Sequence, residues 1–163
     1  MNPRAFNESA IQSAHFCEAP AFSLRSRPRK GRKAEGIRFE TKAQAYLEGK
    51  SEFYLASPWI IFIADGKPHW CQPDGILLDP EAGILTIVEI KYSHCAEAHR
   101  QLRQVYAPVL GRIFPPHLWT FRLVELVKWY DPGVAFPEPV ALCPDPFKHT
   151  GAKIGVHIWR PHG

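Results

Sequence analysis

Three ionisable residues stand out in the stretch QPDGILLDPEAGILTIVEIKYS, residues 72–93: Asp74, Glu89 and Lys91. The residues between them are mostly apolar strand formers, which reject charge unless something offsets it. An isolated ionised carboxylate in apolar surroundings must be paired, protonated or bound to a metal. A third acid, Glu40, falls within the apolar stripe of a predicted helix further upstream. One lysine does not neutralise three acids. A hard divalent cation, Mg²⁺ or Mn²⁺, does so through oxygen ligands, keeping sites for water and a substrate phosphate. Lys91 beside such an ion is placed to hold a water and help deprotonate it, or to stabilise charge developing on phosphorus. The chemistry implied is metal-assisted hydrolysis of a phosphodiester.

The predicted elements position these groups. EGIRFETKAQAYLEG, residues 35–49, reads as a helix ended by Gly49, with Gly36, Phe39, Ala43, Tyr46 and Leu47 on one side and Glu40 among them. PWIIFIAD reads as a strand, DGKP as a turn and HWCQ as extended chain. PDGILLD and GILTIVEIKY then form a hairpin around PEAG. Pairing Asp79 with Ile84 fixes a register in which partner numbers sum to 163 and Asp74 lies opposite Glu89. Alternation puts Asp74, Glu89 and Lys91 on one face with Leu85 and Ile87, and Ile84, Thr86, Val88 and Ile90 on the other. A strand apolar on both faces is a central one covered on both sides, so the fold class expected is α/β (α+β), a mixed sheet flanked by helices. Residues 95–114 read as a helix that Pro108 kinks or splits, with Gln101 at the border of its stripe and Gln104 pointing away. Residues 118–130 are a further strand candidate, and KIGVHIW reads as a last edge strand.

The chain of 163 residues is the size of one domain, and 45% hydrophobic content is ordinary for a globular protein. Its net charge of +4 is uneven: RSRPRKGRK carries Arg25, Arg27, Arg29, Lys30, Arg32 and Lys33 with no acid between Glu18 and Glu35. Residues 1–34 are expected to be an irregular basic arm and 35–163 the domain. Cys17, Cys71, Cys95 and Cys143 are too scattered for a zinc knuckle or a disulfide framework, which favours free thiols in a reducing compartment. The longest apolar run, WIIFIA, is too short to span a bilayer, and no apolar leader is evident. The expectation is a soluble cytoplasmic protein without a membrane partner.

Pro73-Asp74 followed by Glu89-Ile90-Lys91, on consecutive strands after a helix bearing an acid, resembles the signature of the PD-(D/E)XK phosphodiesterase superfamily. That superfamily includes restriction endonucleases, junction resolvases and phage or recombination exonucleases. The resemblance spans roughly residues 36–106. It implies that Asp74 and Glu89 bind the metal with help from the Ile90 carbonyl, that Lys91 is the catalytic lysine, and that Glu40 is an accessory ligand. Some exonuclease-like members carry Gln and Tyr four apart on the following helix; here Gln101 has Val105 at that offset and Tyr106 one further. Gln101 is retained as a candidate for positioning substrate. No iron–sulfur cluster is expected, since the cysteines lack the clustered late triplet of members that hold one.

Each residue also has a plainer reading. Asp74 in PDG suits a turn, Glu89 and Lys91 suit the solvent end of a strand, and Glu40 suits a helix surface. His94 is more commonly a surface loop residue than part of a site, and Trp119, Trp129 and Trp159 more commonly pack a core than stack on bases. The basic run suits a solvated arm, a contact to DNA phosphates, or a contact to a protein partner or second copy. Nuclease action on DNA is the reading the coincidence favours. The alternatives are an RNA-directed nuclease and a non-catalytic nucleic-acid-binding or assembly protein of the same fold.

Overall fold

The computed structural model describes residues 5–24, 30–136, 138–148 and 153–162. Nine strands and three α-helical segments lie among them. The strands are β1 (Ile11–Cys17), β2 (Tyr54–Ala56), β3 (Trp59–Ala64), β4 (Lys67–Cys71), β5 (Gly75–Asp79), β6 (Ile84–Ser93), β7 (Thr120–Trp129), β8 (Val140–Leu142) and β9 (Ile154–Ile158). The helical segments are α1 (Arg32–Glu48), α2 (Ala96–Gln101) and α3 (Ala107–Leu110). A six-stranded sheet has the order β2-β5-β6-β7-β9-β8, and a three-stranded sheet the order β1-β3-β4. The protein is an α+β fold with a mixed central sheet flanked by helices.

The β5–β6 hairpin has the expected register: Asp79 pairs with Ile84 and Gly75 with Val88. From β6 onward the sheet is parallel, β6 to β7 to β9 to β8. That topology explains why β6 is apolar on both faces. Val88 and Ile90 pack under α1 against Phe39, Ala43 and Leu47. Leu85 and Ile87 face the other core, shared with Ile60 and Phe62 of the small sheet and with Leu102, Val105 and Tyr106. In the β3–β4 hairpin the loop residues Asp65 (φ 52°) and Gly66 (φ 71°) both lie in the left-handed region, the pattern of a two-residue turn.

Three expectations are corrected. Residues 11–17, assigned to an irregular arm, form β1, which pairs antiparallel with β3 and buries Ile11 and Ala14. Only two of its side chains are buried, too few to show as a periodic signal. Helix α1 begins at Arg32, so Arg32 and Lys33 belong to its first turn rather than to a linker. Finally, β9 lies between β7 and β8; the edge strand is β8, drawn from the Pro-rich segment. No helix among the described residues is long and apolar enough to cross a membrane.

Pro108 acts as the sequence suggests, with a consequence of its own. Between α2 and α3 the chain forms a π-helical turn, Leu102–Tyr106, in which the Ala107 amide donates to the Leu102 carbonyl. Pro108 has no N–H to offer the carbonyl four residues earlier, that of Gln104. The Phe6 amide donates to that carbonyl instead, at 3.0 Å, and the Phe6 ring packs edge-on to Phe62. A missing helix hydrogen bond thereby anchors the N-terminal segment.

Candidate active site

The sequence-predicted pair lies where the hairpin opens. Asp74 immediately precedes the first ladder pair, and its Oδ2 accepts a hydrogen bond from the Ile90 amide at 2.6 Å. A residue's N–H and C=O leave a strand on the same side, so the Ile90 carbonyl also projects toward the Asp74 edge. Glu89 is 2% exposed, and its Oε1 accepts from Lys91 Nζ at 2.6 Å. Its Oε2 is buried with no hydrogen-bond partner among the described residues.

The electrostatics follow from burial. Desolvation pushes the Glu89 carboxyl up to about 8, and the Asp74 charge adds to the rise while Lys91 opposes it. Desolvation likewise lifts Asp74, to about 6; the Ile90 amide opposes that and the Glu40 charge reinforces it. For Lys91, burial disfavours the ammonium, but Glu89 and Asp74 outweigh it and hold the pKa above its usual value. Lys91 is therefore a cation at neutral pH: it donates hydrogen bonds and positions charge, and does not accept a proton. Adjacent oxygen donors, one of them unpartnered, with too little positive charge nearby to ionise both freely, fit a hard divalent cation.

The mount for Asp74 comes from residues that carry no signal in the sequence. The Asp74 carbonyl accepts from the Ser57 amide at 2.8 Å and from Gln44 Nε2 at 2.7 Å. Tyr54 Oη donates to Gln44 Oε1 at 2.5 Å, so strand β2, helix α1 and Asp74 form one clamp. Ser57 sits at φ 46°, a left-handed backbone that costs a non-glycine residue energy and here aims its amide at Asp74. A Cβ on Gly75 would come 2.0 Å from Tyr54 Oη, so Gly75 is required because the Tyr54 ring lies over it. PDG is therefore a strand entry beneath an aromatic ring rather than a turn.

Glu40 comes from helix α1. Its helix covers the Val88–Ile90 face, opposite the side to which Glu89 projects, and its charge acts on Asp74 and Tyr54 but is not among the influences on Glu89. The three acids do not form a group with ligand atoms within 4.8 Å of one another. The charge of Glu40 reaches Asp74 and tunes it, and an accessory-ligand role for Glu40 is what the resemblance implies.

The helix over the opposite face supplies Tyr106, whose hydroxyl donates to the Gln72 carbonyl at 3.2 Å. Burial, then the charges of Glu89 and Asp74, hold its pKa far above the ordinary tyrosine value. In a regular helix Gln101 and Tyr106, five apart, would diverge by about 140°. The wide turn at Leu102–Tyr106 brings positions five apart back toward one side. Gln101 Oε1 is buried without a partner among the described residues, whereas Gln104 is exposed.

Of the basic run, Lys30, Arg32 and Lys33 are exposed; Arg25, Arg27 and Arg29 lie outside the described residues. The four cysteines are free thiols, Cys71 and Cys143 buried.

His94 is corrected outright. It is buried, with Nδ1 2.6 Å from Glu125 Oε2, and His99 Nε2 lies 3.0 Å from the same oxygen. Glu125 is the β7 register partner of Glu89 and is fully buried. The available signal was an acid flanked by apolar residues, VEL in β7 echoing VEI in β6. No family model matches the chain, and no curated protein or solved structure matches it either.

Proposed function

We propose that the protein is a Mg²⁺-dependent nuclease that hydrolyses DNA phosphodiester bonds at Asp74, Glu89 and Lys91. The observation that carries this reading is the buried carboxylate pair at the open end of the β5–β6 hairpin, with one Glu89 oxygen unpartnered and a charged lysine on the other. Asp74, Glu89 and the Ile90 carbonyl would hold the cation, which when bound supplies Lewis-acid polarisation of the phosphate and a water of lowered pKa. Asp74 is held for this role by the Ser57 and Gln44 hydrogen bonds to its own carbonyl. Lys91, kept an ammonium by its acidic neighbours, orients the attacking water or stabilises a non-bridging phosphate oxygen. The exposed Lys30, Arg32 and Lys33 at the start of α1 suit contact with backbone phosphates.

The test is cleavage of duplex, single-stranded and branched DNA with Mg²⁺ or Mn²⁺, with RNA in parallel. Expected is metal-dependent product that EDTA abolishes and that Glu89→Gln or Lys91→Ala removes. Equal activity of wild type and both variants on every substrate would overturn the proposal. Cleavage of RNA alone would transfer the same site to an RNA-directed nuclease. Salt-sensitive binding with no Mg²⁺ heat in calorimetry would instead identify a non-catalytic nucleic-acid-binding protein.

A further inference from the structure

Behind the hairpin is a second buried polar centre that the proposed reaction does not use. Glu125 is fully buried in the middle of β7, yet the partners of its carboxylate are two imidazoles and the Cys95 amide, which donates to Oε1 at 3.0 Å. His94 comes from the turn after β6, His99 from α2 and Glu125 from β7, so three elements converge. The ligand atoms His94 Nδ1, His99 Nε2 and a Glu125 oxygen all lie within 4.8 Å of one another. With both imidazoles donating to one oxygen, the opposite nitrogens, His94 Nε2 and His99 Nδ1, are left buried without partners among the described residues. The Phe136 ring closes the centre, its centroid 3.9 Å from that of His94 and 4.1 Å from that of His99.

We propose that His94, His99 and Glu125 bind one divalent transition-metal ion of the zinc class, at a site separate from the carboxylate pair. Two imidazoles and one carboxylate form a borderline nitrogen–oxygen donor set that suits Zn²⁺ and its first-row neighbours and does not suit Mg²⁺. Ligand bonds of about 2.0–2.2 Å require tetrahedral donor separations of roughly 3.3 Å. The observed 2.6 Å and 3.0 Å contacts to Glu125 Oε2 are those of donors closed onto one another, and side-chain shifts of under about 1 Å admit the ion. The half-buried Cys95, next to His94 and at the N-cap of α2, and a water are the candidate sources of a fourth ligand. Bound there through His94, three residues beyond Lys91, the ion ties the end of β6 to β7 and α2 and so fixes the strand that carries Glu89. This assignment stands on its own geometry, whether or not the carboxylate pair cuts nucleic acid.

The test is titration of the full, chelator-stripped chain with Co²⁺. Expected are visible ligand-field bands of a four- or five-coordinate site that saturate at one equivalent, are bleached by Zn²⁺ and persist in excess Mg²⁺. His99→Gln should weaken binding by more than about a hundredfold, beyond what loss of an outer-shell partner costs, while Glu89→Gln should leave the bands intact. Absence of bands in wild type, or bands unchanged in His99→Gln, overturns the site. Should His99→Gln fail to fold, X-ray absorption of the wild-type zinc complex decides the matter. Two imidazole scatterers support the assignment, and a shell without imidazole overturns it.

Discussion

Glu89 and Glu125 are register partners on adjacent parallel strands, each flanked by valine and a branched aliphatic, and both are essentially removed from solvent. Their surroundings nonetheless differ in kind. Glu89 lies beyond the last ladder pair of β5, beside Asp74 and a partly exposed lysine, with one oxygen unpartnered. Glu125 lies one strand further in, pairs with β9 on its other side, and has both oxygens engaged. The same residue type in the same local sequence is thus a group with an unpartnered oxygen beside the end of strand β5 and an imidazole-bound group with a strand paired on each side. What distinguishes them is which neighbouring strand stops, and what the helix above contributes.

The largest expected effect is on activity. Glu89→Gln and Lys91→Ala should each lower metal-dependent cleavage by about a thousandfold or more, read in single-turnover assays, whereas Glu125→Gln should retain measurable cleavage when folded. Equal losses at Glu89 and Glu125 would erase the distinction between them. On stability the order should reverse. Glu125→Gln breaks two charge-assisted contacts inside the core and should cost roughly 2–3 kcal/mol in chemical denaturation. Glu89→Gln should be neutral or stabilising, because it relieves a buried charge next to Asp74.

The pH dependence sharpens the same contrast. Glu89 and Asp74 have folded pKa values raised above their unfolded ones, so the folded state holds more protons. Their contribution is most favourable below about pH 4 and is lost as pH rises through about 6 for Asp74 and about 8 for Glu89. Metal-free protein should therefore lose stability across that window, and Glu89→Gln should flatten the slope. Mg²⁺ should raise Tm at pH 8 and leave it nearly unchanged at pH 5, because the cation requires both carboxylates ionised. Gly75→Ala places a methyl against the Tyr54 ring and should cost about 1–2 kcal/mol, loosening the clamp on Asp74 and lowering activity with it. The smallest effect belongs to Pro108→Ala. It restores an N–H able to compete for the Gln104 carbonyl, costing under about 1 kcal/mol, and is read as lost hydrogen-exchange protection at the Phe6 amide.

The hairpin was legible because its information is local. A four-residue loop sets the register and period-two alternation sets the faces, so Asp74, Glu89 and Lys91 come together without knowledge of the rest. Helix α1 was legible from Gly49 and its apolar stripe, but not its start, since the cations Arg32 and Lys33 oppose the helix dipole and resemble a linker. Strand β1 was missed because alternation is weak where only two of its side chains are buried. The role of Gln44 was invisible, since nothing in a helix sequence tells which strand its flank will meet.

By itself, then, the sequence determined the hairpin, its register, the face shared by the acidic pair and Lys91, and the disruption at Pro108. Each depends on chain geometry over a few residues. The tertiary structure alone decided that Gln44 of α1 holds the Asp74 carbonyl, that Tyr54 demands Gly75, and that a π-helical turn leads to a Tyr106 that feels both carboxylates. It alone made His94 a buried partner of Glu125. Those outcomes depend on which elements pack face to face, a matter of long-range burial that residue spacing does not encode.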